Sequence, residues 1–374
     1  MKICIVSTTY PLRGGIAHFN GLLYNQLKID NEVEIITFKR QYPSILFPGK
    51  SQIEGGETPE KIPSDVIMDS INPINWIKVG YKIKRMNPDL VIFKYWMPFF
   101  APIFGTIIKI AKRNKNTKAL VICDNVIPHE RKPGDILLTK WFFKAVDNFV
   151  TMSKSVEDDL KKIKPNAKSV LLFHPIYSNF GKIIPKQEAR NYFNIKTDKV
   201  LLFFGFIRDY KGLDTLIEAV NLLKDKLDYT LIIAGEFYTD KEKYLSLIEK
   251  YNLSCKIKLC TDFIPTNEVK YYFSAADVVV LPYKNATQSG IIQIANNFNK
   301  PIIATNVGGL GEVIFSGING YLVEKENPQA IADAILTYYS ENKEDEFMEF
   351  IKNEKEKYSW ASFISKIFTL VKKN

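Results

Sequence analysis

Cysteine is scarce in this chain, with four residues in 374. Cys4, Cys123, Cys255 and Cys260 are too few and too scattered for a disulfide scaffold, and none forms a Cys-x-x-Cys metal or redox pair. A reducing compartment is expected. Histidine is scarcer still, with three residues. No His/Cys cluster has ligand spacing and no Asp-x-Asp follows a strand-like run, so no metal and no other resident cofactor is expected. Long apolar runs are missing too. The most apolar uncharged stretch, 95–108, contains Pro98 and Pro102 and is well short of the roughly 20 residues a membrane span needs. The first residues enter a strand-like run at Ile3 and reach Thr8, Thr9 and Pro11 before an apolar signal core is built, which points to the cytoplasm. No Gly-x-Gly-x-x-Gly dinucleotide fingerprint is present.

What is there reads as a packed globular protein. Hydrophobic residues make up 46% and charged residues 25%, which excludes collagen-like, coiled-coil and largely disordered chains. At about 150 residues per domain the length implies two domains. The formal charge is +10, unevenly placed. Residues 78–118 hold Lys78, Lys82, Lys84, Arg85, Lys94, Lys109, Lys112, Arg113, Lys115 and Lys118 against the single acid Asp89. Such asymmetry suits an anionic partner, either a membrane surface or a polyanion, and equally a solvated helical face.

Short β-branched runs alternate with amphipathic stretches. Strands are expected over 2–7, 32–38, 90–95, 119–124, 148–152 and 169–173, with helices over 16–28, 76–86, 100–113, 135–145 and 156–163. A polar, proline-marked connection over 175–198 interrupts the pattern, and a second series follows. Its strands are expected over 200–204, 229–234, 256–261, 278–282, 301–305 and 320–323, and its helices over 212–224, 240–251, 266–275, 289–298 and 328–340. This is the β-α-β rhythm of two parallel sheets, an α/β architecture of two Rossmann-like domains facing each other across a cleft. The expected domains are 1–174 and 199–356, joined by 175–198. Residues 41–70, rich in Gly, Pro, Ser and Glu, read as a long surface loop.

Three glycine-marked strand ends are candidate anion sites. Gly14-Gly15 precedes the first helix, where a plain turn and a phosphate-binding turn both fit. Gly205 is followed by Arg208, Lys211 and Gly212, a fork and a point charge suited to clamping a diphosphate. Thr287-Gln288-Ser289-Gly290 precedes an apolar helix whose start offers both caps and anion donors, and Gly308-Gly309 marks a further tight strand exit.

The block Lys211-Gly-x-Asp-x-Leu after a Phe-Phe-Gly strand, the run Pro-Ile-Ile-Ala-Thr-x-x-Gly-Gly-x-x-Glu ending at Glu312, and Gly317-Ile-Asn-Gly-Tyr-Leu-Val323 carry a resemblance. They resemble the retaining nucleotide-sugar glycosyltransferases of the GT-B fold, specifically glycosyltransferase family 4. The likeness is strongest over 200–323 and continues more weakly through the first half. It implies a nucleotide-diphosphate sugar bound mainly by the second domain, a glycan or lipid-linked acceptor bound by the first, and no metal. It also implies a closing helix, 357–371 with Trp360, that crosses back to the first domain.

The sequence departs from the family at three places. The two family glutamates near the donor are absent, and Thr287, Gln288, Ser289 and Gln293 are left to supply neutral hydrogen bonds. Phe206 holds the place of the family arginine, so Arg208 must reach from two residues further on, while Lys211 is in register. The family histidine at a strand end is replaced by Asp124, with His129 five residues later beside Glu130. His129 is the preferred sugar contact and Asp124 the second. The expected catalytic set is therefore His129, Asp124, Arg208 and Lys211. The donor set is Gly14, Gly15, Gly205, Arg208, Lys211, Thr287, Gln288, Ser289, Gly290 and Gln293. Lys82, Arg85, Trp96, Phe99 and Phe100, a cationic rim around apolar side chains, are the expected acceptor or membrane contacts. No nucleic-acid partner is expected. A nucleotide-sugar epimerase and a catalytically weak nucleotide-sugar or polyanion binder stay open as alternatives.

Overall fold

The computed structural model describes residues 1–43, 51–53, 62–128 and 132–372. They divide into two compact units, one of residues 1–175 with 358–372, the other of 176–357. The expected α/β class is what the structure has. The first unit holds seven strands: β1 (Lys2–Val6), β2 (Glu32–Arg40), β3 (Asp65–Asp69), β4 (Leu90–Tyr95), β5 (Lys118–Cys123), β6 (Asn148–Thr151) and β7 (Lys168–Leu171). All neighbours are parallel, in the order β3-β2-β1-β4-β5-β6-β7. The second unit holds β8 (Val200–Phe204), β9 (Thr230–Ala234), β10 (Ile257–Cys260), β11 (Val278–Leu281), β12 (Ile302–Thr305) and β13 (Gly320–Val323), parallel in the order β10-β9-β8-β11-β12-β13. The central strands are buried on both faces, which is why β8 and β11 read as unbroken apolar runs rather than alternating ones.

Helices cover the sheets. Those of the first unit are α1 (Gly15–Leu27), α2 (Pro73–Met86), α3 (Ala101–Ala111), α4 (Asp135–Phe143) and α5 (Lys154–Ile163). The second has α6 (Lys186–Tyr192), α7 (Leu213–Leu223), α8 (Glu242–Lys250), α9 (Val269–Ala275), α10 (Gly290–Asn297), α11 (Pro328–Glu341) and α12 (Glu344–Glu354). The last helix, α13 (Trp360–Lys372), packs within the first unit, where Trp360 and Phe363 meet the ring of Phe19 on α1 at 5.0 and 6.0 Å. Asn72 caps α2 by accepting from the N–H groups of Ile74 and Asn75, and Asn327 caps α11 through Ala330. No described helix is long and apolar enough to cross a membrane.

One device recurs in both sheets. An aspartate just ahead of a strand turns its carboxylate sideways to accept an N–H at the start of the neighbouring strand. Asp89 accepts from Lys2 at 2.7 Å, Asp147 from Ala119 at 2.7 Å and Asp277 from Val200 at 2.7 Å. Each carboxylate answers a donor that the edge of the ladder leaves unpaired, and so pins the register of two strands. Asp277 does the most. Its side chain is nearly buried and also accepts from Lys186 and Arg190, both at 2.8 Å, and from the Tyr339 hydroxyl at 3.2 Å.

Two readings of the sequence are corrected here. The stretch 41–70 is not wholly loop, since Asp65–Asp69 forms β3, a short edge strand whose charged ends disguise it; residues 44–50 and 54–61 lie outside the described residues. The connection 175–198 contains α6, whose Arg190 faces inward to Asp277, a polar contact invisible to a hydrophobic pattern. α12 was likewise unforeseen, because Phe347 and Ile351 are its only buried residues.

Replacing Asp277 by Ala strands Arg190 without a counter-charge in the interior and frees the Val200 N–H. Urea unfolding of the variant should show a loss of about 3–5 kcal/mol, the usual cost of breaking one side of a buried ion pair. A loss within experimental error would show that Asp277 is replaceable.

Candidate functional site

The strand order of the second unit reverses between β8 and β11, and open parallel sheets bind ligands beyond the carboxyl ends of their strands at such a switch. β8 runs into Gly205, whose φ of 104° only glycine adopts freely. The chain then makes a tight turn over Asp209–Lys211 and enters α7 through Gly212 at φ 69°. A Cβ on Gly212 would lie 1.9 Å from the Pro282 carbonyl oxygen, so the turn is pressed against the exit of β11. This folding back carries Lys211 under Gly205, with Nζ 2.8 Å from where a Cβ on Gly205 would stand.

Lys211 is only 8% exposed. Nζ sits 5.6 Å from the centre of the Tyr283 ring. The neighbouring acids are engaged elsewhere: Asp209 accepts from Thr239 and Tyr244, and Asp214 from Lys243 and Lys284. Among the described residues no carboxylate pairs with Lys211. Burial, and after it the charge of Arg208, pull its ammonium down to about 7. Arg208 itself is exposed, its guanidinium 5.1 Å from the centre of the Tyr238 ring, which in turn stacks on Phe206 at 4.5 Å.

The start of α10 closes the other side. Ser289 stands at the N-cap position, yet its side chain makes no capping bond. Its hydroxyl instead meets that of Tyr283 at 3.2 Å. No acidic residue lies in the first turn, so the positive end of the helix is left uncompensated. The Gly309 N–H donates to the Thr287 carbonyl at 3.1 Å, and a Cβ on Gly308 would stand 1.6 Å from the Ala286 oxygen. Ile291 lies beside Gly205. The structure thus brings Gly205, Lys211, Thr287, Ser289, Gly290 and the Gly308-Gly309 turn together, with Gln288 half-buried in the same loop. Gln293 is placed differently: it is buried inside α10, and its Oε1 accepts from Asn296 at 3.4 Å. An open cavity of about 790 Å³ adjoins Gly308, lined also by Lys284, Asn285, Asn306, Glu324 and Lys325.

In the first unit, β1 is followed by Ser7, Thr8 and Thr9, all buried. Asn20 of α1 donates to the Ser7 hydroxyl at 2.9 Å and to the Thr8 carbonyl at 2.7 Å, while the hydroxyls of Thr8 and Thr9 have no partner among the described residues. Gly14 takes φ 109° and α1 begins at Gly15 with no side-chain cap. One residue beyond β5, the Asp124 N–H donates to Tyr95 at 2.8 Å and its carboxylate accepts from Lys94 at 2.7 Å. Sequence reasoning missed Lys94, and the signal was a lone lysine in the apolar run Leu90–Tyr95. His129 and Glu130 lie outside the described residues. Among the described residues no three His, Cys, Asp or Glu side chains group as a metal would require.

The expected acceptor or membrane residues divide. Phe100 is fully buried among Phe38, Phe104 and Trp96 and cannot form a rim. Trp96 and Phe99 are half-buried around Tyr42, whose hydroxyl accepts from the Trp96 indole at 3.0 Å. Lys82 is tied to Asp65, and Arg85 is exposed in the last turn of α2. The basic stretch is partly neutralised as well, since Lys112 pairs with Asp147 and Lys109 lies over Trp141. What α2 does expose is Ile74, Ile77 and Tyr81, with Ile71 just before it.

Comparison with known proteins places these features. Residues 185–357 match the family model for glycosyl transferases group 1. An uncharacterized glycosyltransferase of Methanocaldococcus jannaschii is 26% identical over 97% of this chain and 96% of its own length. A D-inositol 3-phosphate glycosyltransferase of an Arthrobacter species is 32% identical over 76% of this chain and 70% of its own. Among solved structures, Anabaena HepE in complex with UDP superposes with a TM-score of 0.79 at 15% identity, covering both chains fully. That likeness identifies the fold as GT-B.

The charge state of Lys211 makes anion binding depend on pH. An anion seated beside Nζ favours the ammonium, so binding takes up a proton wherever the free lysine is neutral. Affinity for inorganic pyrophosphate should fall about tenfold between about pH 7 and about pH 8.5, and the Lys211→Ala variant should lose that slope. Calorimetry in two buffers of different ionisation heat reads the proton uptake directly. A flat profile with no uptake would overturn the assignment.

Proposed function

The chain belongs to the glycosyl transferases group 1 family, and from that premise we propose that it moves a sugar from a nucleotide-diphosphate donor to an acceptor hydroxyl with retention of configuration. The observation that carries this reading is the buried, carboxylate-free ammonium of Lys211 beside the uncompensated start of α10. Both supply positive potential at the one place where a departing diphosphate develops negative charge. Arg208 is close enough to shift Lys211 and swings from Tyr238 onto the same phosphates. Anabaena HepE, of the same fold, has been solved with UDP and with UDP-glucose, which supports a uridine-type donor as the first to try. His129 is the first choice for the contact with the transferred sugar and Asp124 the alternative, and the leaving phosphate oxygen accepts the acceptor proton on the face it vacates. Lysine, arginine and helix dipole carry the diphosphate charge, so the reaction runs without a metal.

The acceptor is a glycan or lipid-linked hydroxyl, as in cell-surface polysaccharide or glycolipid synthesis, and the exposed face of α2 carries the protein to an anionic bilayer. Ile74, Ile77 and Tyr81 are 67%, 44% and 42% exposed and recur at the spacing of one helix face. Lys78 and Arg85 stand exposed beside them. Apolar side chains enter the headgroup boundary while each cation near the surface contributes roughly 1 kcal/mol.

A panel of UDP-, GDP- and ADP-sugars, read by thermal protection and then by release of the nucleoside diphosphate, tests the transferase reading. One donor should both protect and turn over. Protection without turnover would favour a binding protein, and interconversion of the sugar without release an epimerase. Lys211→Ala should weaken nucleoside diphosphate binding by about 1.5–3 kcal/mol, and EDTA should leave turnover intact. For the acceptor side, the protein should co-sediment with anionic but not neutral liposomes, and Ile74→Gln with Ile77→Gln should abolish it. Equal binding to both vesicles would favour a soluble acceptor.

A further inference from the structure

One cavity of the second unit is not accounted for by the diphosphate site, which it adjoins at Gly308. Its volume is about 790 Å³, and it lies at the carboxyl ends of the three neighbouring strands β11, β12 and β13. Ligands of open parallel sheets settle at that edge, and the volume falls within the roughly 300–1,000 Å³ of pockets that take a whole small ligand. Its walls carry Lys284 and Asn285 after β11, Asn306 after β12, and Glu324 and Lys325 after β13.

The frame is held by the backbone while two polar tips are left over. The Asn306 N–H donates to the Val323 carbonyl at 2.8 Å, which carries the β12–β13 ladder one step past Thr305. Gly308, at φ 50°, packs the following turn against the Ala286 oxygen and so seats Asn285. Glu324 accepts from the Asn327 carboxamide at 3.0 Å, and Asn327 is itself committed to capping α11. The carboxamides of Asn285 and Asn306, in contrast, are exposed and hydrogen-bond to none of the described residues.

The lining discriminates between classes of ligand. A phosphate is disfavoured, since the Lys284 ammonium already pairs with Asp214 at 2.7 Å and the Glu324 carboxylate lines the same space. A nucleobase needs an aromatic face to stack on, and among the described residues no aromatic side chain lines the cavity. A ligand rich in hydroxyls fits instead. Each carboxamide offers donors and an acceptor, the carboxylate accepts and the Lys325 ammonium donates, a set matched to groups that do both. Val307, Leu322 and Val323 add an aliphatic surface for the C–H face of a pyranose ring. The cavity is open, as suits a chain that continues into solvent.

We propose that this cavity is an oligosaccharide subsite, which holds, through Asn285, Asn306 and Glu324, sugar residues of the glycan acceptor that do not themselves react. Its place in the reaction rests on the reading of the chain as a transferase with a glycan acceptor, whereas the binding of saccharide does not.

The test uses the full chain and four trisaccharides, maltotriose, cellotriose, mannotriose and triacetylchitotriose, each titrated by saturation-transfer NMR. At least one should bind saturably, and Asn285→Ala with Asn306→Ala should weaken it at least about tenfold, the scale of losing two neutral hydrogen bonds. Affinity for UDP, read by calorimetry, should stay as it was, because neither side chain belongs to the diphosphate site. Both side chains are exposed, so the double variant should melt with the wild type. Equal binding of the trisaccharides to wild type and variant, or no binding of any, would overturn the proposal. So would a variant whose only loss is in UDP-glucose relative to UDP, since the cavity would then belong to the donor sugar. A wild-type chain that binds a trisaccharide but none of UDP, GDP and ADP would instead overturn the transferase reading and leave the subsite standing.

Discussion

Lys211 brings an ammonium into the interior of the second unit with no acid paired to it among the described residues, and the local backbone is shaped around that lysine. Gly205 lacks a side chain where one would strike Nζ, and Gly212 takes a left-handed turn against the Pro282 carbonyl. The acids within range are turned away by pairing with other lysines and hydroxyls. Desolvating an ammonium is costly, and on the proposed reading a bound diphosphate offsets that cost. On that reading the positive charge is in place before the ligand arrives, which is what preorganisation means.

The alternation of strands and helices was legible because central parallel strands are apolar on both faces, and β8, β11 and β13 lie close to where their patterns place them. Elements held by polar contacts were not. α6 docks through Arg190 and Lys186 onto Asp277, and β3 through Arg40 and Lys82 onto its two terminal aspartates, so hydropathy had nothing to register.

The candidate site divides in the same way. Glycines betrayed the strand exits, because positive φ and close approach, to the Lys211 ammonium at Gly205 and to backbone carbonyls at Gly212 and Gly308, leave no room for a side chain. Lys211 stood in register with a recognisable motif. Orientation, in contrast, is a tertiary property. That Gln293 turns into its own helix, that Phe100 sinks into the core and that Lys94 reaches forward to Asp124 depend on neighbours remote in sequence.

The first unit is discontinuous along the chain, since the helix Trp360–Lys372 packs on α1 although residues 176–357 belong to the second unit. On the ribosome, at roughly 5–20 residues per second, some tens of seconds at the slower rate separate the emergence of Phe19 from that of Trp360 and Phe363. During that interval Phe19 stands without the aromatic cover that Trp360 and Phe363 give it in the folded chain. The first unit therefore closes only once the last residues of the chain are made, so its completion waits on the synthesis of the whole second unit.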